Sequence, residues 1–191
     1  AGALEAALAE GGQTAPLTMQ VETTPRSALF SFGPEAEVVV AAAVPEQTEL
    51  FAMRGGSDTV FVIEMNAADQ IIAGSGADTV HICGLPRGYI SLGDANVGHD
   101  GDTDTVLIYP EVLAAAQAEG GAEITIGDFG RQIDRLVFIA PPEMMQTPQI
   151  DAYLGSLSVS FGALRVNIDD NMYFFNPTSA LPDVLVRPGR I

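Results

Sequence analysis

The chain has 191 residues, enough to bury a substantial core as one large domain or two small ones. Its 25 acidic residues face 8 basic ones, all of them arginine, for a net charge of −17, which disfavours nucleic acid and anionic membranes as partners. No apolar run reaches membrane-spanning length, and the lone cysteine, Cys83, excludes an internal disulfide, so a secreted form needs another stabiliser such as a divalent cation.

In chain order, "AGALEAALAEGG" at 1–12 reads as a short helix ending at Gly11 and Gly12. It has no basic region ahead of its apolar residues and is not expected to be an intact signal peptide; the numbering is expected to begin inside a longer or processed product. Residues 17–62 are strand-rich, with "PLTMQVETT", "SALFSF", "AEVVVAAAV" and "ELFAM" separated by proline and glycine. At 110–121, "PEVLAAAQAEGG" predicts a helix opened by Pro110 and closed by Gly120 and Gly121. Strand signals follow in "AEITI", "RLVFIA", "LSVSFGALRVNI", "NMYFF" and "DVLVR". The apolar "EVVVAAAV" at 37–44 and "DVLVR" read as core strands, or alternatively as edges that add to a neighbour's sheet.

The middle of the chain is periodic. Cut into nines, residues 64–90 give "EMNAADQII", "AGSGADTVH" and "ICGLPRGYI"; "MRGGSDTVF" at 53–61 precedes them after a two-residue insertion. Position six holds Asp58, Asp69, Asp78 and Arg87, and position eight holds Val60, Ile71, Val80 and Tyr89. "GHDGDTDTVLI" at 98–108 is a further turn of this kind, and "ITIGDFGRQIDRLVF" at 124–138 carries a D-F-x-x-x-x-D segment. An aspartate after glycine is also a common turn residue without any metal, because its side chain bonds nearby backbone. On that reading Asp128 and Asp134 cap a turn around a buried Phe129.

These repeats resemble the RTX, or hemolysin-type calcium-binding, family, whose nonapeptide is G-G-x-G-x-D-x-U-x. The resemblance covers about residues 53–138 and implies a mainly β fold: a short parallel β-roll flanked by further strands and one or two short helices. Three regions are expected: an N-terminal β-rich segment at 1–52, the roll at 53–138, and a C-terminal β-rich cap at 139–191. In such a roll, glycine turns alternate with short strands in two facing sheets, and the turns hold Ca2+ through carbonyl and carboxylate oxygens. The implied metal residues are Gly56, Asp58, Gly74, Gly76, Asp78, Asp100, Asp102 and Asp104. Ions are expected between the turns of Asp58 and Asp78, and between Asp78 and the acidic loop at 98–104. Asp58 and Asp78 belong on one edge. Asp69 belongs on the other, stacked on Arg87 in an ion pair or in no contact. The position-eight side chains point inward.

Other chemistry is not supported. His81, His99 and Cys83 are too few for a tetrahedral zinc site, and the histidines are expected at the surface. No G-x-S-x-G elbow, H-E-x-x-H, P-loop or dinucleotide fingerprint occurs, so no catalytic residue is assigned and the chain is not expected to be an enzyme. The resemblance implies a bacterial protein exported by a one-step (type I) route that folds on meeting extracellular calcium. The function expected is a structural or assembly one: a surface-layer, sheath or filament subunit whose self-association depends on calcium. The alternative is a calcium-folded module of a larger secreted adhesin or hydrolase.

Overall fold

The computed structural model describes residues 19–24, 27–44, 46–93, 101–130, 133–153, 156–169 and 183–189. The helix expected at 1–12 and the strand expected at "NMYFF" lie outside the described residues, as do Asp100 and His99.

The fold is mainly β, with strands alternating between two facing sheets. Sheet A takes β2 (Ser27–Phe32), β4 (Thr48–Ala52), β6 (Gln70–Ile72), β8 (Tyr89–Ser91) and β10 (Ala122–Gly127). Sheet B takes the strands between and after them: β3 (Val38–Ala42), β5 (Thr59–Glu64), β7 (Thr79–Ile82), β9 (Thr105–Ile108) and β11 (Arg135–Ala140). From β2 to β9 each strand pairs in parallel with the strand two places on, so the chain winds as a coil with the other sheet as its crossover. β14 (Leu164–Asp169) and β15 (Asp183–Pro188) add a last parallel strand to sheets A and B. β1 (Met19–Thr24) joins sheet A antiparallel to β2, and β12 (Gln149–Tyr153) and β13 (Ser156–Phe161) extend its far end antiparallel to β14. Parallel pairing already runs from β2 to β4, ahead of residue 53.

Helix α1 (Pro110–Ala118) interrupts one crossover where the sequence predicts it, with proline in its first turn. Its inward residues Val112, Leu113 and Ala116 are buried. Gly120 and Gly121 follow at φ of 75° and 136°, angles that end the helix where a Cβ would be penalised.

The core is two facing columns of apolar side chains, most of them β-branched. Val39, Val60, Val80, Val106 and Leu136 lie in register across sheet B, each at most 5% exposed. Phe51, Ile71, Ile90, Ile126 and Ile168 face them from sheet A. Phe138 and Phe161 stack at 4.7 Å in the same core. Fully burying such side chains contributes about 1.5–3 kcal/mol each, and the β-branched residues suit a pleated, packed surface.

The position-eight expectation holds for Val60, Ile71 and Val80 but fails at Tyr89. Gln70 pairs with Tyr89 and Ile71 with Ile90, so the third unit is shifted by one residue and Ile90 is the inward side chain. With period two, a one-residue shift exchanges the faces. The shift also puts Gly88, not Arg87, beside Asp69. A Cβ on Gly88 would lie 2.3 Å from the Asp69 carbonyl oxygen, which leaves room there only for glycine.

The core reading holds for alternate residues of "EVVVAAAV" and only in part for "DVLVR", whose Val184, Leu185 and Val186 are half-buried. Among the described residues the two strands form the edges of sheet B, β3 and β15. Val39 and Ala41 are in the core while Val38 and Val40 are exposed.

Candidate functional site: a buried carboxylate ladder

In the five crossovers that lead from sheet A into β3, β5, β7, β9 and β11, the residue just before the sheet B strand is acidic, and these residues stack. Asp58 Oδ1 accepts the backbone N–H of Glu37 at 2.7 Å. Asp78 Oδ1 accepts that of Asp58 at 2.8 Å, Asp104 Oδ1 that of Asp78 at 2.8 Å, and Asp134 Oδ1 that of Asp104 at 2.9 Å. The main chain runs alongside: the N–H groups of Thr59, Thr79, Thr105 and Arg135 donate to the carbonyls of Glu37, Asp58, Asp78 and Asp104 at 2.8–2.9 Å. All five acids are at most 1% exposed. Each coil is thus pinned to the next by one side-chain and one main-chain bond at its corner.

The turns are packed directly on one another. Gly56, Gly74 and Gly76 have φ of 112°, 100° and 120°. A Cβ on Gly76 would stand 1.6 Å from the Gly56 carbonyl oxygen, so only glycine permits this approach.

The spacing between rungs grows along the ladder, from 21 and 20 residues to 26 and then 30. The loop before Asp104 and helix α1 before Asp134 take up the extra length without disturbing the register. Asp134 also accepts the Gly130 N–H through Oδ2 at 2.5 Å, beside Phe129 at 1% exposure, as the turn-capping reading expects. Asp128, at φ 57°, accepts the Ser91 hydroxyl at 2.5 Å.

The opposite edge carries a shorter version. Asp69 accepts the N–H of Glu49 at 2.8 Å and that of Asn66 at 2.6 Å, and Glu49 accepts that of Val44 at 3.3 Å. Arg87 does not reach Asp69; it pairs with Glu119 of the segment after α1 at 3.1 Å, on the surface. The one-residue shift at Gly88 is the reason.

Burial, with the adjoining Glu37 carboxylate adding to it, raises the Asp58 pKa to about 7, although the Glu37 N–H bond opposes the shift. Glu37 Oε1 accepts the Gly33 N–H at 3.1 Å, but Glu37 Oε2 and Asp58 Oδ2 are buried with no hydrogen-bond partner among the described residues. Burial also raises the Glu49 pKa, with Asp69 adding to it.

Of the expected metal residues, the structure brings together Gly56, Asp58, Gly74, Gly76, Asp78 and Asp104. Asp102 is exposed and outside the ladder, and Asp100 lies outside the described residues. Glu37, Glu49 and Asp134 were not expected as rungs. Glu37 and Glu49 were legible as acids 21 and 20 residues before Asp58 and Asp69; Asp134 was hidden by the helix inserted before it.

Does this edge fit calcium? The cation wants six to eight oxygens at about 2.3–2.6 Å. Among the described residues no group of three or more histidine, cysteine or acidic side chains converges as a metal site. The buried Glu37 Oε2 and Asp58 Oδ2 supply two oxygens toward such a shell, fewer than the cation wants.

His81 departs from its expected surface position. It is 6% exposed, stacked on Phe61 at 4.5 Å, with Nδ1 2.9 Å from the Tyr109 hydroxyl. Burial lowers its pKa to about 4. Cys83 packs on the same face, half-buried, and burial followed by the nearby Glu111 raises its pKa to about 11. The pair belongs to a small apolar cluster on the outer face of sheet B.

Two interleaved, largely parallel sheets with a buried acidic ladder at their turns define the molecule as a parallel β-roll. Compared with known proteins, the chain matches no family model, and no curated protein is significantly similar to it. Among the described residues, no helix is long and apolar enough to cross a membrane.

Proposed function

We propose that the chain is a secreted, calcium-stabilised β-roll with a structural or assembly role rather than a catalytic one. The observation that supports this is the column of buried carboxylates from Glu37 to Asp134 on glycine-built turns. Neighbouring strands lie about 4.8 Å apart. Like charges at about 5 Å oppose each other by on the order of 3 kcal/mol at an effective dielectric of about 20. Protons or cations relieve that repulsion, and outside the cell calcium at millimolar concentration is the available divalent cation. A site of extracellular-module affinity then contributes about 1 kcal/mol by mass action, besides relieving repulsion. With a net charge of −17, self-association into a layer, sheath or filament would follow the same cation.

A second reading has its own observation: each Oδ1 is already engaged by a backbone N–H, which is a complete structural role without metal. Circular dichroism with calcium and with chelator, read beside sedimentation of the same samples, separates the two. The proposal expects loss of β signal on chelation and larger species on adding calcium. An unchanged spectrum leaves the metal-free roll, and a monomer at high concentration in millimolar calcium removes the assembly role.

A further inference from the structure

Sheet A is one strand longer than sheet B at the first coil. β1 continues sheet A beyond β2, while sheet B ends at β3 among the described residues. The step leaves a groove of about 330 Å3 against the β3 edge, lined by Phe30, Phe32 and Phe51 from sheet A and by Val38, Val40 and Val44. Val38, Val40 and Val44 are 37%, 49% and 47% exposed, which groups three of the large exposed apolar side chains at one place.

The β3 backbone is half used. The Glu37 carbonyl accepts from Thr59, and Val39 and Ala41 share that orientation toward β5, so the N–H and C=O groups of Val38 and Val40 point outward from the sheet. An open edge beside an apolar groove is a template for one more strand.

Two features decide what kind of strand. Two copies joined antiparallel at β3, about an axis normal to the sheets, would drive each β1 into the other's sheet A; the step admits a lone strand. The groove is also flanked by acids: Glu35 lies before β3, Glu46 after it, and Glu64 opposite Ala42, all exposed. A second copy of a chain at −17 is a poor match for that rim.

We propose that the β3 edge is a docking slot for a single extended strand of another polypeptide, apolar at its centre and basic at its flanks. The strand would extend sheet B beneath β1, with alternate side chains against Phe30 and Phe32.

The probe is a labelled synthetic peptide of alternating valine and threonine with two arginines at each end, and a matched peptide with glutamates at the ends. Fluorescence anisotropy should show binding of the first peptide at least tenfold tighter than the second. Amide exchange at Val38 and Val40 should slow when the arginine peptide is added. Val40→Pro, which removes one outward N–H from an edge strand, should weaken binding at least tenfold. Glu35→Gln with Glu64→Gln should weaken it several-fold and reduce its salt dependence. If Val40→Pro fails to fold, the exchange map of the unmodified protein decides alone. Equal binding of both peptides, or binding without protection of Val38 and Val40, overturns the proposal. So does protection that rises with protein concentration and no peptide, which would make a second copy the occupant.

Discussion

Asp78 Oδ1 accepts the backbone N–H of Asp58, a residue 20 positions earlier, at 2.8 Å in the protein interior. One carboxylate thereby joins two successive coils, and the bond repeats up the edge. Replacing Asp78 by alanine strands the Asp58 N–H away from water. Urea unfolding in chelator should show a loss of about 2–3 kcal/mol. Asp78→Asn keeps an acceptor oxygen and removes a buried charge, so it should cost clearly less. Equal losses for the two variants would mean that the charge, not the bond, matters at this rung.

Asp58 sets one pH dependence. Its folded pKa of about 7 exceeds the unfolded value near 4, so between them the folded chain binds more protons. The contribution is therefore full below about pH 4 and is lost as pH rises through 7. In chelator, stability should fall across that range, and Asp58→Asn should flatten the slope. Calcium, which favours the ionised form, should oppose the fall.

His81 works the other way. Its folded pKa of about 4 lies below the unfolded value near 6.5, so the unfolded chain binds more protons between them. Its contribution is full above about pH 6.5 and fades as pH falls toward 4. His81→Phe should remove that acid-side loss in a denaturation series from pH 7 to 4. Persistence of the loss in the variant would assign it elsewhere.

The glycine turns give a graded comparison. Gly76→Ala meets both an unfavourable φ of 120° and the Gly56 carbonyl at 1.6 Å, so the coils must separate. Gly101→Ala meets only the backbone penalty, with nothing within 4 Å of the new Cβ at φ 95°. Thermal unfolding should show a loss of about 1–2 kcal/mol for Gly101→Ala and a markedly larger one for Gly76→Ala. Similar losses would mean that the turns are not stacked as tightly as this.

Much was legible in the one-dimensional pattern because a roll repeats locally. The nonapeptide spacing carried the resemblance, and the resemblance implied the alternation of sheets, Asp58 and Asp78 on one edge, Asp69 on the other, and Val60, Ile71 and Val80 pointing inward. Proline and glycine marked α1 to within a residue or two. These features depend on near neighbours and on a period of two, which the sequence carries directly.

Tertiary packing decided the rest. The slip that exchanges Arg87 for Gly88, the burial of His81 beneath Phe61 and Tyr109, and the recruitment of Glu37 and Asp134 as rungs all depend on which coil lies next to which. Composition showed an acidic chain, and the repeat pattern showed a family resemblance that implied stacked turns. Only the stacked coils decided that each carboxylate reaches for the backbone of its neighbour, because that bond joins residues 20 to 30 apart that meet solely through the register of the two sheets.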